Sequence, residues 1–449
     1  MAKDIGGLPL IEIRFDDNGD IDPDGERDLV AELDAHDPTD LLVFSHGWNN
    51  TPSIATRLYE AFFGQFPPML AAHGVPGRRV ALLGVFWPSS RWSDEPIPDF
   101  APAADLGGVG GGAAGFGRPV EFEPPPPPDA DMRALIRTGF PVDQRAAVDE
   151  LLTLIDKRPD DLESVRRARE LVQTIAAATA GDGDGEQSEQ QPFMAQPDPD
   201  AELFTRFATQ LEELGINTGD GGGAAGFGDR FRRLWHGAQE AARQLTYWQM
   251  KRRAGVVGER GLGPLLGRLL AQRPALNVDL IGHSFGARVV AYALAGLDPA
   301  APQVRSVTLL QGAFSHFAFA ATLPFDAGRH GALHGRSGRV AGPVTACYSV
   351  HDSAVGVLYP AASFLGREDA AGLADVTYRW GGIGHDGHQP GVTELALQDV
   401  GARYDFTDVD LANIDAARVV KKGSPPSGAH SDIVHPELAW VVACAGGLV

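Results

Sequence analysis

Apolar positions along the 449-residue chain follow two rhythms, separated by a long interruption. Residues 8–15 read as a strand, closed by the turn-forming run Asp16-Asp17-Asn18-Gly19-Asp20. A short helix over 26–35 follows, and then residues 40–45, Asp-Leu-Leu-Val-Phe-Ser, form an almost unbroken apolar run. Such a run between helices is the pattern of a strand buried on both faces. Thr51 as N-cap and Pro52 in the first turn start a helix whose Ile54, Leu58, Ala61 and Phe62 share one face. A second buried strand spans 80–87. Later in the chain, helices over 238–253 and 258–270 lead into a strand over 276–281 and a helix over 287–297. Strands over 306–310 and 344–350, weaker strand signals at 392–397 and 404–409, and a closing helix over 436–445 complete the series. This alternation predicts an α/β fold, a mostly parallel sheet with helices on both faces.

The interruption covers residues 91–237. Prolines and a Gly-rich patch open it, and helical spacing then appears over 143–156, 159–178 and 200–214. The last of these places Leu203, Phe207, Leu211 and Leu214 on one face, as a hydrophobic lid would. Residues 181–200 contain no Lys or Arg and little apolar surface, the composition of a disordered stretch. The expected organisation is therefore a core in two parts, 1–90 and 238–449, around a large helical cap insertion, 91–237. The octapeptide Gly-Gly-Gly-Ala-Ala-Gly-Phe-Gly occurs at 110–117 and again at 221–228. Both copies contain G-x-G-x-x-G, but neither has the preceding strand and following helix that a pyrophosphate cradle requires. They read as hinges bracketing the cap.

The chemistry concentrates at Gly282-His283-Ser284-Phe285-Gly286, which is G-x-S-x-G between a strand and a helix. A sharp strand-to-helix turn lifts a serine hydroxyl above the sheet edge, and Gly282 and Gly286 leave room for the crossing backbone. A serine hydroxyl also needs a base, an orienting acid and an oxyanion hole. The hole is expected at Ser45-His46-Gly47-Trp48-Asn49, at the end of an earlier buried strand. There the N–H groups of Trp48 and Phe285 form the donor pair, and Gly47 permits close approach. Chain order places the acid next, at Asp352 directly after a strand, with an Asx turn or helix cap as its competing role. His430, on a Gly/Ser-rich loop before the final helix, is the expected base. His435 is its rival, although Pro436 beside it marks a helix start. His385-Asp386-Gly387-His388 gathers two imidazoles and a carboxylate, without further ligands at metal spacing. A polar loop is expected there, with no metal and no cofactor.

Composition narrows the partners. With 38 Lys+Arg against 59 Asp+Glu the net charge is −21, which disfavours nucleic acid and anionic membranes. Cys347 and Cys444 lack any redox or zinc spacing and read as small hydrophobes. No apolar run is long enough to span a bilayer and no leader pattern opens the chain, so a cytoplasmic location is expected.

With these motifs in view, the chain resembles the α/β-hydrolase superfamily. It looks most like a bacterial branch of lipase- or esterase-like serine hydrolases with an HG-[FW]-N-N oxyanion strand, here Phe44-Ser45-His46-Gly47-Trp48-Asn49-Asn50. Phe86-Trp87-Pro88-Ser89, Tyr247-Trp248-Gln249-Met250-Lys251 and Arg253-Ala254-Gly255-Val256-Val257-Gly258 are similar to that branch as well. The likeness covers residues 8–90 and 240–445 and leaves the cap aside. It implies a Ser284, Asp352, His430 triad acting on a small-molecule or lipid-like ester through an acyl-serine. Acyl transfer or amide hydrolysis on the same triad, and a catalytically inactive binding scaffold, stay open as alternatives.

Overall fold

A computed structural model describes residues 2–89, 133, 136–137, 140–179, 204–205, 227–358, 381–423 and 428–449. Its centre is a nine-stranded sheet in the order β1-β2-β4-β3-β5-β6-β7-β9-β8. The strands are β1 Lys3–Ile5, β2 Leu8–Arg14, β3 Asp40–Ser45, β4 Val80–Phe86 and β5 Asn277–His283. The remainder are β6 Ser306–Leu310, β7 Val344–Tyr348, β8 Thr393–Ala396 and β9 Leu411–Asp415. Only β1 runs antiparallel to its neighbour. The fold is therefore α/β with a mostly parallel sheet.

Side-chain alternation explains why the central strands read as unbroken apolar runs. Leu41 and Val43 of β3 enter one core, with Leu83 of β4 and Val278 and Leu280 of β5. Leu42 and Phe44 enter the opposite core, with Leu82, Ile281 and Leu310. Helices Pro23–His36, Gly263–Gln272 and Phe285–Gly296 cover the first face. Helices Pro52–Phe63, Phe66–His73 and Pro436–Ala445 cover the second. Thr51 caps the helix that follows it, its Oγ1 accepting from the Ile54 amide at 3.4 Å. No helix among the described residues is long and apolar enough to cross a membrane.

Two sequence expectations move. The aromatic alternation at 404–409 forms no strand, because Thr407 N–H donates to Asp405 Oδ1 in a local Asx turn while Tyr404 and Phe406 stack on each other. The ninth strand lies just beyond, at Leu411–Asp415, paired in parallel with β7. In the cap region, helices Arg145–Lys157 and Leu162–Thr179 share a separate apolar cluster with Phe204, Leu234, Trp235 and Leu245. The helix carrying Leu234 to Leu245 runs unbroken from Phe227 to Val256, so the expected boundary at 237/238 falls inside a continuous rod. A π-helical turn, Val257–Leu262, then joins it to Gly263–Gln272. The disorder expected over 181–200, most of the helix expected over 200–214 and both Gly-rich repeats lie outside the described residues or at their edge.

Near the amino ends of β3 and β5, opposite the strand ends that carry the serine, two buried carboxylates lie close together. Asp40 accepts from Arg78 Nη1 at 2.9 Å and Asn277 Nδ2 at 3.0 Å. Among the described residues, Asp279 accepts only from Ser306 Oγ, at 2.6 Å. Burial, reinforced by the Asp40 charge and only partly offset by Ser306, Arg305 and Arg78, pushes the Asp279 carboxyl up to about 7. A raised folded-state value means that the native protein keeps this proton after the unfolded chain has lost it. The stabilisation is complete at low pH and is lost as pH rises between about 4 and about 7. Asp279→Asn should thus flatten the pH dependence of the melting temperature across that window and raise it relative to wild type at pH 8. Melts at pH 5 and pH 8 check this, and parallel losses in both proteins would refute it.

Candidate active site

At the carboxyl end of β5 the chain turns sharply into the helix Phe285–Gly296. Ser284 holds this turn at φ 58, ψ −124, a region that non-glycine residues rarely occupy. The strain is held by backbone bonds on both sides. Ser284 N–H donates to Leu310 O at 3.1 Å, and the Ser284 carbonyl accepts from Ala287 and Ala313, each at 3.1 Å. Backbone crosses within contact at the flanking glycines. A Cβ at Gly282 would lie 2.4 Å from Ala287 Cα, and one at Gly286 would lie 1.9 Å from Ser45 O.

The structure brings the three expected triad residues together. Ser284 Oγ lies 2.8 Å from His430 Nε2, and His430 Nδ1 lies 2.8 Å from Asp352 Oδ2. Asp352 is fully buried after β7, and its other oxygen accepts from the Val355 amide at 3.0 Å. The carboxylate therefore serves as partner to the imidazole and as a local cap at once, so the two roles read from the sequence coexist. The acid and base loops are also joined through the backbone. Ala429 N–H donates to His351 O at 2.9 Å, and Asp352 and Gly428 form an antiparallel bridge. His435, the rival base, sits elsewhere: its Nε2 lies 2.9 Å from Asp432 Oδ1. It occupies the N-cap position of the last helix without a side-chain cap bond.

The loop after β3 reaches the serine. A Cβ on Gly47 would lie 2.6 Å from Ser284 Cβ, so only glycine allows this approach. The Gly47 carbonyl receives His46 Nδ1 at 2.9 Å and Asn50 Nδ2 at 3.1 Å. In a trans peptide the next N–H points opposite to that carbonyl, so these two bonds set the direction of the Trp48 amide. Among the described residues, neither the Trp48 nor the Phe285 amide donates to another group. Asn50 was not singled out in the sequence, although its place in the Asn49-Asn50 pair was the available signal.

His46 is a buried support. Its ring stacks on Trp87 at 5.5 Å, and the Trp87 Nε1 donates to the His46 carbonyl at 2.9 Å. Burial lowers its pKa to about 4, leaving a neutral ring whose Nδ1–H faces Gly47 O and whose Nε2 faces the Trp87 amide at 3.4 Å. Tyr247, on the long helix, sits against the rings of both oxyanion candidates, 5.7 Å from Trp48 and 5.0 Å from Phe285. Nothing in local spacing pointed to that contact. Two further histidines make polar contacts: His316 pairs with Asp386 at 2.9 Å, and His385 Nδ1 lies 3.3 Å from the Asp352 carbonyl. Among the described residues no cluster of three His, Cys, Asp or Glu could hold a metal ion.

Gly286→Ala would drive a methyl group into the Ser45 carbonyl, a backbone atom that cannot swing aside. Overpacking of this kind should destabilise the protein by roughly 1–3 kcal/mol or more. A chemical-denaturation midpoint lower than wild type is the expected result, and an unchanged midpoint would mean that the crossing is looser than the geometry here.

No protein-family model, no curated protein and no solved structure matches the chain.

Proposed function

We propose that the chain is a serine hydrolase of the α/β-hydrolase type that cleaves carboxylic esters through an acyl-serine intermediate. The observation that carries this reading is the continuous relay from Ser284 Oγ to His430 Nε2 and from His430 Nδ1 to Asp352 Oδ2, each link 2.8 Å. It is mounted on a turn with a positive φ at the serine. His430 takes the proton as Ser284 Oγ attacks the ester carbonyl, and Asp352 stabilises the imidazolium that forms. The tetrahedral oxyanion faces the Trp48 and Phe285 amides, with the helix amino end beneath adding a positive dipole. His430 then returns the proton to the departing alcohol, and a water activated by the same ring releases the acid.

The aromatic surroundings support an apolar substrate class. The aromatic rings of Trp48, Tyr247 and Phe285 pack on one another, Trp48 following Gly47 and Phe285 following Ser284 in the chain, and Trp48 also packs against the apolar cluster of the helices Arg145–Lys157 and Leu162–Thr179. Such walls suit a small-molecule or lipid-like ester with an apolar acyl group. Leu203, Phe207 and Leu211, named from the sequence as a lid face, lie outside the described residues.

A fluorophosphonate probe should label the folded wild-type protein at Ser284, and Ser284→Ala should abolish labelling. His430→Ala should lower turnover of a short-chain p-nitrophenyl ester by a factor on the order of 10⁴–10⁶ with the fold intact. His435→Ala should stay near wild type. Loss of activity in His435→Ala with retention in His430→Ala would overturn the assignment of the base. Folded wild type that neither labels nor turns over esters would make the protein a binding scaffold on this fold. A panel of amides and acyl acceptors separates ester hydrolysis from amidase or transferase chemistry.

A further inference from the structure

We propose that His283, the residue before the nucleophile, is a positioning residue that holds the base in place by gripping its main chain. The proposal rests on the reading of His430 as the base.

His283 Nε2 lies 2.8 Å from the carbonyl oxygen of His430, and the two imidazoles stand 5.0 Å apart. A carbonyl can only accept, so the proton of His283 is fixed on Nε2. Its Nδ1 is then a buried lone pair, without a partner among the described residues. Burial and the neighbouring imidazole depress the His283 pKa to about 3, so the ring stays neutral across physiological pH. That neutrality matters for the chemistry. A second positive ring at this distance would oppose the imidazolium that His430 must become.

The grip supplies what the other contacts of the loop do not. On one side, the base loop is tied to the acid loop through Ala429 and Gly428. On the side of the nucleophile, the direct side-chain link is the Ser284 Oγ to His430 Nε2 bond itself. That bond must break in each cycle, when Nε2 hands its proton to the leaving group. The His283 bond to the main chain takes no part in proton transfer. It keeps the base at the elbow while the working bond is open. Since His283 and Ser284 are adjacent on one strained turn, the same backbone carries both the nucleophile and the clamp on its base.

His283→Leu removes the donor while keeping apolar bulk, and His283→Gln returns an N–H close to where Nε2 stands. His283→Asn is one methylene short of the carbonyl and replaces the Leu variant if that protein does not fold. Three quantities are compared at matched thermal stability: kcat and KM for p-nitrophenyl butyrate, the second-order rate of fluorophosphonate labelling, and the low-field proton NMR signal of the His430–Asp352 hydrogen bond. The Leu variant should lose roughly 10²-fold in kcat and labelling rate with KM little changed, the cost of a misplaced catalytic group. Its low-field signal should broaden or vanish. The Gln variant should recover most of the rate and the signal. A Leu variant with wild-type rate and signal would overturn the proposal, and so would a folded Gln variant as impaired as Leu. The NMR comparison needs no turnover. If wild type proved inert towards esters and probe, the functional reading would fail while the signal still decided whether His283 holds the His430 loop.

Discussion

A single strained turn places the Ser284 hydroxyl against the His430 ring, and the rest of the candidate site is arranged around it. Ser284 is forced to φ 58 because β5 must end, reverse and enter a helix within two residues, beneath a loop that touches it. Elsewhere such a conformation would relax at a gain of about 1–3 kcal/mol. Here the neighbouring strands hold it. The register Ser45 opposite Gly282, Gly282 opposite Leu309 and Leu310 opposite Cys347 places the carboxyl ends of four strands at one level. Groups far apart in sequence therefore leave the sheet side by side. Parallel pairing is what makes a site from loops separated by hundreds of residues.

Around that turn, one residue type does several different jobs, and burial decides which. His46 and His283 are enclosed, and desolvation drives both to values at which the ring is neutral at ordinary pH. Each then acts as a fixed donor to a main-chain carbonyl, His46 to Gly47 and His283 to His430. His430 keeps part of its side chain in solvent contact, and its two nitrogens face a hydroxyl and a carboxylate. The carboxylates, both fully buried, differ instead in their partners. Asp352 receives an imidazole and an amide, while among the described residues Asp279 has one hydroxyl and an orphaned oxygen, and burial pushes its carboxyl up to about 7.

Much of this was legible in the sequence, because it is encoded locally. Buried strands announce themselves as apolar runs, and the strand–Gly-x-Ser-x-Gly–helix context carries its own steric logic. Asp352, His430 and the Gly47 loop could be placed by chain order and by position after strand signals. What escaped depends on tertiary approach. Asn50 matters because its amide folds back to Gly47 O, and Tyr247 because a helix some 200 residues later in the chain brings it to Trp48. The strand expected at 404–409 failed for the opposite reason. A good alternating pattern was overruled by an Asx turn, and the shorter segment Leu411–Asp415, which buries Ala412, Asn413 and Ile414, took the place beside β7.

The long helix links the separate helical cluster to the candidate site. Its first part supplies Leu234, Trp235, Ala238 and Leu245 to the cap cluster, and its last turns supply Met250 and Ala254 to the sheet core. Tyr247 lies at the crossover, and Trp48 packs against both clusters. A rigid helix cannot shift at one end without moving the other, so any displacement of the cap bundle would be carried to Tyr247. From there it would reach the ring of Trp48, whose amide is one of the two oxyanion candidates. The backbone of that amide is held by His46 and Asn50, but its side chain is seated by the cap. The apolar contacts of the cap and the polar geometry of the site therefore meet in a single residue. That is a physical reason for a tryptophan, which has enough surface to face both clusters, to stand at this position.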